Sequence, residues 1–253
     1  MTGYSGGGGV QINGRAVGPG EPVYIIAEAG SNHGGTLGQA LKMVSAAKKA
    51  GADAVKFQWF RPEMPGLHPG AARCALGWQD YVLLAQRCYS EGIDFICTPF
   101  EPWAAVELGC MRVDALKIRS ADAENEPLLE AAWDTGLPVI TSIRYALATH
   151  GQTAMLPCQW LGRAAILFCV SEYPTPPRHI RLWQLTTWAC GSNVPVGLSD
   201  HTRGTTMGLA AVKHGACILE KHFRLDEQTD CLDLAVSLTP AELEKYITLA
   251  RGE

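Results

Sequence analysis

The fold this sequence predicts is a (β/α)8 TIM barrel, of α/β class, preceded by a short N-terminal β-hairpin. Three observations carry that expectation. Eight brief apolar runs recur between Val23 and Phe223, segments long enough for crossover helices separate most of them, and 253 residues suit a single barrel domain. The runs are VYIIAE, AVKFQ, IDFICTPF, ALKI, PVITS, AAILFCVS, VPVGLSD and CILEKHF. Each is continuous rather than alternating and rich in Val, Ile or Phe, as strands covered on both faces of a parallel sheet must be. A doubly wound sheet would have fewer strands and a nucleotide fingerprint.

The elements follow in order. Residues 1–22 read as a glycine-rich leader and a hairpin, with Asn13-Gly14 as the turn between short semi-apolar arms. Residues 23–253 read as the barrel, without a linker or low-complexity insert. Thr36-Leu37-Gly38-Gln39 has the pattern of a capping box. The apolar positions Leu37, Ala40, Leu41, Val44 and Ala47 then keep helical spacing until Gly51. Thr239-Pro240-Ala241-Glu242 is a second box, with proline at the first helical position. The stretch from Ala146 to Arg163 lacks clean periodicity, so an irregular helix is expected there.

Composition narrows the function classes. Hydrophobic residues make up 47% and charged residues 18%, with a net charge of −4, which excludes a disordered chain and a phosphate-neutralising nucleic-acid binder. No run of about 18 apolar residues suggests a membrane span, and the start has no signal-peptide pattern. Nine cysteines, an odd number, form no Cys-x-x-Cys pair, and Cys97, Cys169 and Cys217 sit inside apolar runs. A reduced, cytoplasmic protein is the expectation.

Barrel chemistry belongs at the C-terminal ends of the strands. Those ends offer Glu28 with Asn32 and His33, Lys56 with Gln58, Thr98, Lys117 with Ser120 and Asp122, and Thr141 with Ser142. Ser171 with Tyr173, Ser199 with His201, and Glu220 with His222 complete the set. Lys56 and Lys117 stand out, because alternation turns each away from its apolar neighbours and into the barrel. A buried ammonium needs an anionic partner. Three uses remain open: an ion pair with Glu28 or Glu220, a bound phosphate completed by Thr98, Ser120, Thr141 and Ser199, or a Schiff base on one lysine. His201 and His222 end adjacent strands, and parity puts Glu220 and His222 on one face with Lys221 on the other. Two imidazoles beside a carboxylate suit either an open divalent-metal site or structural hydrogen bonding. His33, next to Gly34-Gly35, reads equally well as a loop hydrogen-bonding residue.

The segments IIAEAGSNHGG, DAVKFQ, CTPFE, LKIRSAD, CVSEYPTP, VGLSDHT and LEKHF, in that order, resemble the barrel domain of the sialic acid synthase family. The resemblance implies condensation of phosphoenolpyruvate with the aldehyde of a sugar, using a divalent metal (Mn2+, Mg2+ or Co2+) and giving a 2-keto-3-deoxy acid and phosphate. It also implies phosphoenolpyruvate contacts from Lys56, Thr98, Lys117, Ser120, Thr141, Tyr173 and Ser199. Metal ligation would fall to His201 and His222, and Glu28, Gln58 and Asp233 would face the acceptor. A homodimer is the implied assembly.

Departures from the family pattern bear on the acceptor. Arg119 stands where the family has glycine, Thr141-Ser142-Ile143-Arg144 replaces a Ser-Thr-Gly-Met run, and Ser171 replaces a frequent asparagine. Arg119 and Arg144 therefore suggest an anionic acceptor, the alternative being that they pair with Asp122 or Glu172. The family's C-terminal antifreeze-protein-like domain, which supplies an arginine to the sugar, has no counterpart in this sequence. Two other functions compete: a Schiff-base aldolase using Lys117 or Lys56, and a non-catalytic phosphoenolpyruvate-binding barrel.

Overall fold

A computed structural model describes residues 8–144 and 162–252. The chain opens with a hairpin, β1 (Val10–Ile12) and β2 (Arg15–Val17), paired antiparallel. Asn13 and Gly14 take φ of 47° and 77° at its turn, the doubly left-handed conformation that an Asn-Gly pair tolerates.

Eight parallel strands then close a barrel. They are β3 (Tyr24–Gly30), β4 (Ala54–Trp59), β5 (Asp94–Pro99), β6 (Ala115–Ile118), β7 (Val139–Arg144), β8 (Ala164–Cys169), β9 (Val196–Asp200) and β10 (Ile218–His222). Neighbours follow chain order, and β10 pairs with β3 to complete the ring. Each of the eight predicted runs overlaps one of these strands. The expected TIM barrel is the observed fold.

Outside the barrel lie α1 (Leu37–Lys49), α2 (Pro69–Ala72), α3 (Trp78–Glu91), α4 (Pro102–Met111), α5 (Glu126–Asp134), α6 (Leu182–Gly191), α7 (Thr206–Lys213) and α8 (Pro240–Arg251). The irregular helix expected between Ala146 and Arg163 falls almost wholly outside the described residues. Among the described residues, no helix is long and apolar enough to cross a membrane, and every cysteine is unpaired.

The two predicted capping boxes part ways. At α8, Thr239 accepts from Glu242 N and Glu242 Oε2 accepts from Thr239 N at 2.8 Å, so the box closes. At α1, Thr36 is the N-cap but its side chain makes no cap bond. Gln39 N donates instead to the carbonyl oxygen of Thr36 at 3.1 Å.

Alternation along each strand sorts the apolar residues into two cores. Ile25, Val55, Cys97, Leu116 and Leu198 face outward and pack under the helices. Ile26, Ala54, Ile96, Ala115, Ile140, Leu167 and Ile218 fill the barrel interior, together with Val10, Ile12 and Val17 of the hairpin. Ile12 is completely buried, so the hairpin plugs the N-terminal end. At about 25 cal/mol per Å2 of apolar surface, each buried isoleucine, leucine or valine here contributes about 1.5–3 kcal/mol. The polar layer above this plug is where the site forms.

Candidate active site

The C-terminal strand ends enclose a cavity of about 160 Å3. Residues that follow the inner apolar layer by two positions reach it: Glu28 after Ile26, Lys56 after Ala54, Thr98 after Ile96, Lys117 after Ala115, and Glu220 after Ile218. Sequence periodicity therefore installs the polar layer directly.

Lys56 Nζ lies 2.9 Å from Glu28 Oε2 and 3.6 Å from Glu220 Oε2, and it donates to Thr98 Oγ1 at 3.3 Å. Burial works to lower its pKa, but Glu220 and Glu28 together raise it above the ordinary value. The core ion pair weighed for this lysine is thus present, inside the same cavity as the hydroxyls. Lys117 differs. It donates to Ser142 Oγ at 2.6 Å and Ile118 O at 3.0 Å, and it forms no carboxylate ion pair among the described residues. Burial lowers its pKa, and the opposing pull of Glu220 does not restore it. For Glu220, burial pushes the carboxyl up, yet Lys117, Lys56 and the Ser199 hydroxyl, which donates at 2.6 Å, bring it down to about 2. Two lysines and two carboxylates thus make up the floor of the cavity.

On the opposite wall stand the histidines, with ring centroids 5.6 Å apart. His201 Nδ1 is 2.8 Å from Val170 O, which makes Nδ1 the protonated nitrogen and leaves Nε2 basic. Tyr173 Oη and Ser199 Oγ lie 3.0 Å and 3.3 Å from that Nε2, and the Tyr173 ring stacks on His201 at 4.1 Å. Burial, then His222, lowers the His201 pKa to about 3, so the ring is neutral. His222 Nδ1 is buried without a hydrogen-bond partner, 3.4 Å from Asp233 Oδ2. A neutral His201 beside a His222 with an orphaned ring nitrogen fits a divalent cation. No group of three or more His, Cys, Asp or Glu among the described residues could hold one unaided, so water or substrate oxygens must complete its shell.

Glu28, Gln58 and Asp233 converge at Gly30. Gln58 Nε2 donates to Glu28 Oε1 at 3.0 Å, and a Cβ at Gly30 would meet Glu28, Asp233 and Gln58 atoms at 3.3–3.5 Å. Asn32 ties the loop bearing Asp233 to the barrel: its Oδ1 accepts from Asp233 N, and its Nδ2 donates to Phe223 O and Ser237 Oγ. His33 lies outside this cavity and accepts from Gly35 N, as a loop residue does.

Ser120 and Ser171 line the cavity with their hydroxyls 3.1 Å apart. Arg119 lines it too, but its Nε donates to Asp122 Oδ2 at 2.5 Å and its guanidinium lies 3.6 Å over the Phe100 ring. The pairing alternative weighed for Arg119 is therefore the one observed, and Asp122 stands behind the arginine rather than in the cavity.

Besides Asp122, two predicted residues are not brought to the site. Thr141 shares the outer face of β7 with Val139 and Ile143, and its Oγ1 is buried without a partner; Ser142, one position on, supplies the cavity hydroxyl. Two consecutive hydroxyl residues hide the parity, and only the register Lys117↔Ile140 resolves it. Arg144 is exposed at the end of β7 and does not line the cavity. Glu220 and Ser142 are the site residues the sequence reading undervalued. Glu220 carried a signal, a carboxylate two positions before His222.

The NeuB family model matches residues 66–252. The chain belongs to the NeuB family. Among its relatives, N,N'-diacetyllegionaminic acid synthase of Legionella pneumophila is 32% identical, over 90% of this chain and 71% of that protein. N-acetylneuraminate-9-phosphate synthase of Drosophila melanogaster is also 32% identical, over 94% and 68%. N-acetylneuraminic acid (sialic acid) synthetase of Leptospira borgpetersenii, solved in complex with citrate, superposes with a TM-score of 0.90 at 35% identity. It covers 98% of this chain and 89% of its own. This NeuB barrel is thus related to synthases of sialic and legionaminic acids.

Proposed function

We propose that this chain condenses phosphoenolpyruvate with the aldehyde of a sugar or sugar-like acceptor, giving a 2-keto-3-deoxy acid and phosphate. The carrying observation is the pair of buried lysines, Lys56 and Lys117, in one cavity with the hydroxyls of Thr98, Ser142 and Ser199 and with the two histidines His201 and His222. A compact, multiply charged anion suits that arrangement, because charge-assisted contacts begun by the lysines are completed by hydroxyl donors. The names of the relatives support a sugar-acid product.

In the proposed reaction C3 of phosphoenolpyruvate attacks the aldehyde carbon, the aldehyde oxygen takes up a proton from water to become a hydroxyl, and C2 becomes oxocarbenium-like. Water adds at C2, its proton passing to Glu28, whose Oε2 is held by Lys56 and Oε1 by Gln58. The tetrahedral intermediate then breaks its C2–O bond, and phosphate leaves from beside Lys56, Lys117 and Thr98. His201 and His222 would hold the divalent cation, which when bound supplies Lewis acidity at the aldehyde oxygen. Tyr173 orients His201 by stacking. Arg119 leaves its Nη groups without a protein partner among the described residues, which supports an anionic group on the acceptor at the rim. The unpaired cysteines support a cytoplasmic setting.

The test is incubation with phosphoenolpyruvate, Mn2+ or Mg2+ and a panel of hexosamines, aldoses and phosphorylated aldoses, reading phosphate release and the keto acid. One observation favours a second reading: Lys117 has a lowered pKa and no carboxylate within ion-pair distance among the described residues, as a Schiff-base lysine would. Borohydride trapping of Lys117 with activity that survives a chelator would establish that aldolase reading instead. Phosphoenolpyruvate binding without turnover on every aldehyde would leave a binding barrel.

A further inference from the structure

Behind the two histidines lies an ion pair that the proposed chemistry does not use. Lys221 and Asp200 are register partners on β10 and β9, and each immediately precedes one histidine. Alternation turns both away from the cavity. Their Nζ and Oδ2 are 3.3 Å apart, and both side chains are fully buried. A pair of this kind is a poor source of stability, because losing two hydration shells offsets the attraction between the charges.

Its hydrogen bonds give it a geometric use. Lys221 Nζ donates to Thr202 O at 2.6 Å, and Thr202 N donates to Asp200 Oδ1 at 2.8 Å. The ladder between β9 and β10 ends at the Lys221↔Asp200 register, so His201 is the first residue of its segment beyond the sheet. Thr202, also fully buried, is gripped from both strands, and the backbone carrying His201 is closed between Asp200 and Thr202. Thr175 N donates to His201 O at 2.8 Å and secures the same turn from the β8 side.

We propose that Asp200 and Lys221 are positioning residues that set the His201 ring against the His222 ring. The consequence for cation binding rests on the proposed function; the ring geometry can be read without it. Two double variants test the idea. Asp200→Asn with Lys221→Met removes both charges, keeps an acceptor for Thr202 N and deletes the donor to Thr202 O. Asp200→Asn with Lys221→Gln restores an N–H donor. Circular dichroism and thermal melts establish folding, and ring-nitrogen NMR of the metal-free protein reports the His201 tautomer, held as Nδ1–H by Val170 O.

The methionine variant should show mixed or broadened His201 signals. Its Mn2+ dissociation constant should rise about 10-fold or more, the size expected for losing support behind a ligand. Its KM for phosphoenolpyruvate should stay within about twofold of wild type while kcat falls. The glutamine variant should recover part of each loss. A folded methionine variant with wild-type ring signals and Mn2+ affinity would overturn the proposal. So would collapse of either variant, which would assign the pair to stability alone. Failure of the wild-type protein to bind Mn2+ would remove the cation reading, and the ring spectra would still decide the positioning claim.

Discussion

Glu220→Gln replaces the carboxylate between two buried lysines with a neutral amide of the same shape. Glu220 is 5% exposed, with Oε2 3.6 Å from Lys56 Nζ and Oε1 accepting from Ser199. Burial raises its carboxyl, but Lys117, Lys56 and Ser199 bring the pKa from 4.5 down to about 2. At about 1.36 kcal/mol per unit, that gap corresponds to about 3 kcal/mol of folding stability. Breaking a buried ion pair by removing one partner costs a similar amount, about 3–5 kcal/mol. With about 2.1 cal/mol/K of unfolding entropy per residue, 253 residues convert 3 kcal/mol into a melting temperature about 6 °C lower. Because the folded pKa is depressed, this contribution is complete above pH 4.5 and is lost as pH falls toward about 2. The variant should lack that acid-dependent component. Its cavity also gains net positive charge, so inorganic phosphate or phosphoenolpyruvate should raise its melting temperature more than that of wild type. Scanning fluorimetry between neutral and acid pH, with and without millimolar phosphate, reads all three effects. A neutral-pH melting temperature within about 1 °C of wild type, with an unchanged acid slope, would mean that Glu220 does not stabilise the fold through the two lysines.

Three further outcomes follow from the site. Ser142→Ala should raise KM for phosphoenolpyruvate about 10-fold or more, since it removes a partner of a charged donor, whereas Thr141→Val should leave KM unchanged; equal effects would reverse the assignment of faces on β7. His201→Ala and His222→Ala should each weaken Mn2+ binding about 100-fold or more by calorimetry, with the fold retained, since even a residue supporting a ligand is worth about 10–100-fold. Arg119→Ala should raise KM for phosphorylated aldehydes and spare neutral ones; a uniform loss would mean that Arg119 only shapes the pocket through Asp122 and Phe100.

Much of this molecule is legible because barrel strands carry a period of two. The inward turn of Lys56 and Lys117, and the opposite faces of Lys221 and His222, follow from counting outward from apolar neighbours. The Asn13-Gly14 turn is equally local, since few other dipeptides accept φ of 47° and 77°. Counting fails where neighbours are alike. Thr141 and Ser142 offer the same hydroxyl on opposite faces, and a register with β6 is needed to choose between them. Long-range pairing is the other blind spot. Nothing in the local sequence shows that Arg119 meets Phe100 and Asp122, or that Asp200 and Lys221 align to hold Thr202. Arg144 ends its strand too far out to reach the cavity, and strand ends are where a local pattern carries least information.

The proposed reaction consumes phosphoenolpyruvate with cleavage of its C2–O bond. Phosphoenolpyruvate labelled with 18O at the bridging oxygen tests it most directly, using an aldehyde that supports phosphate release and mass analysis of both products. The label should leave in the phosphate, and the new C2 oxygen should come from water. Retention of the label in the keto acid would contradict that cleavage.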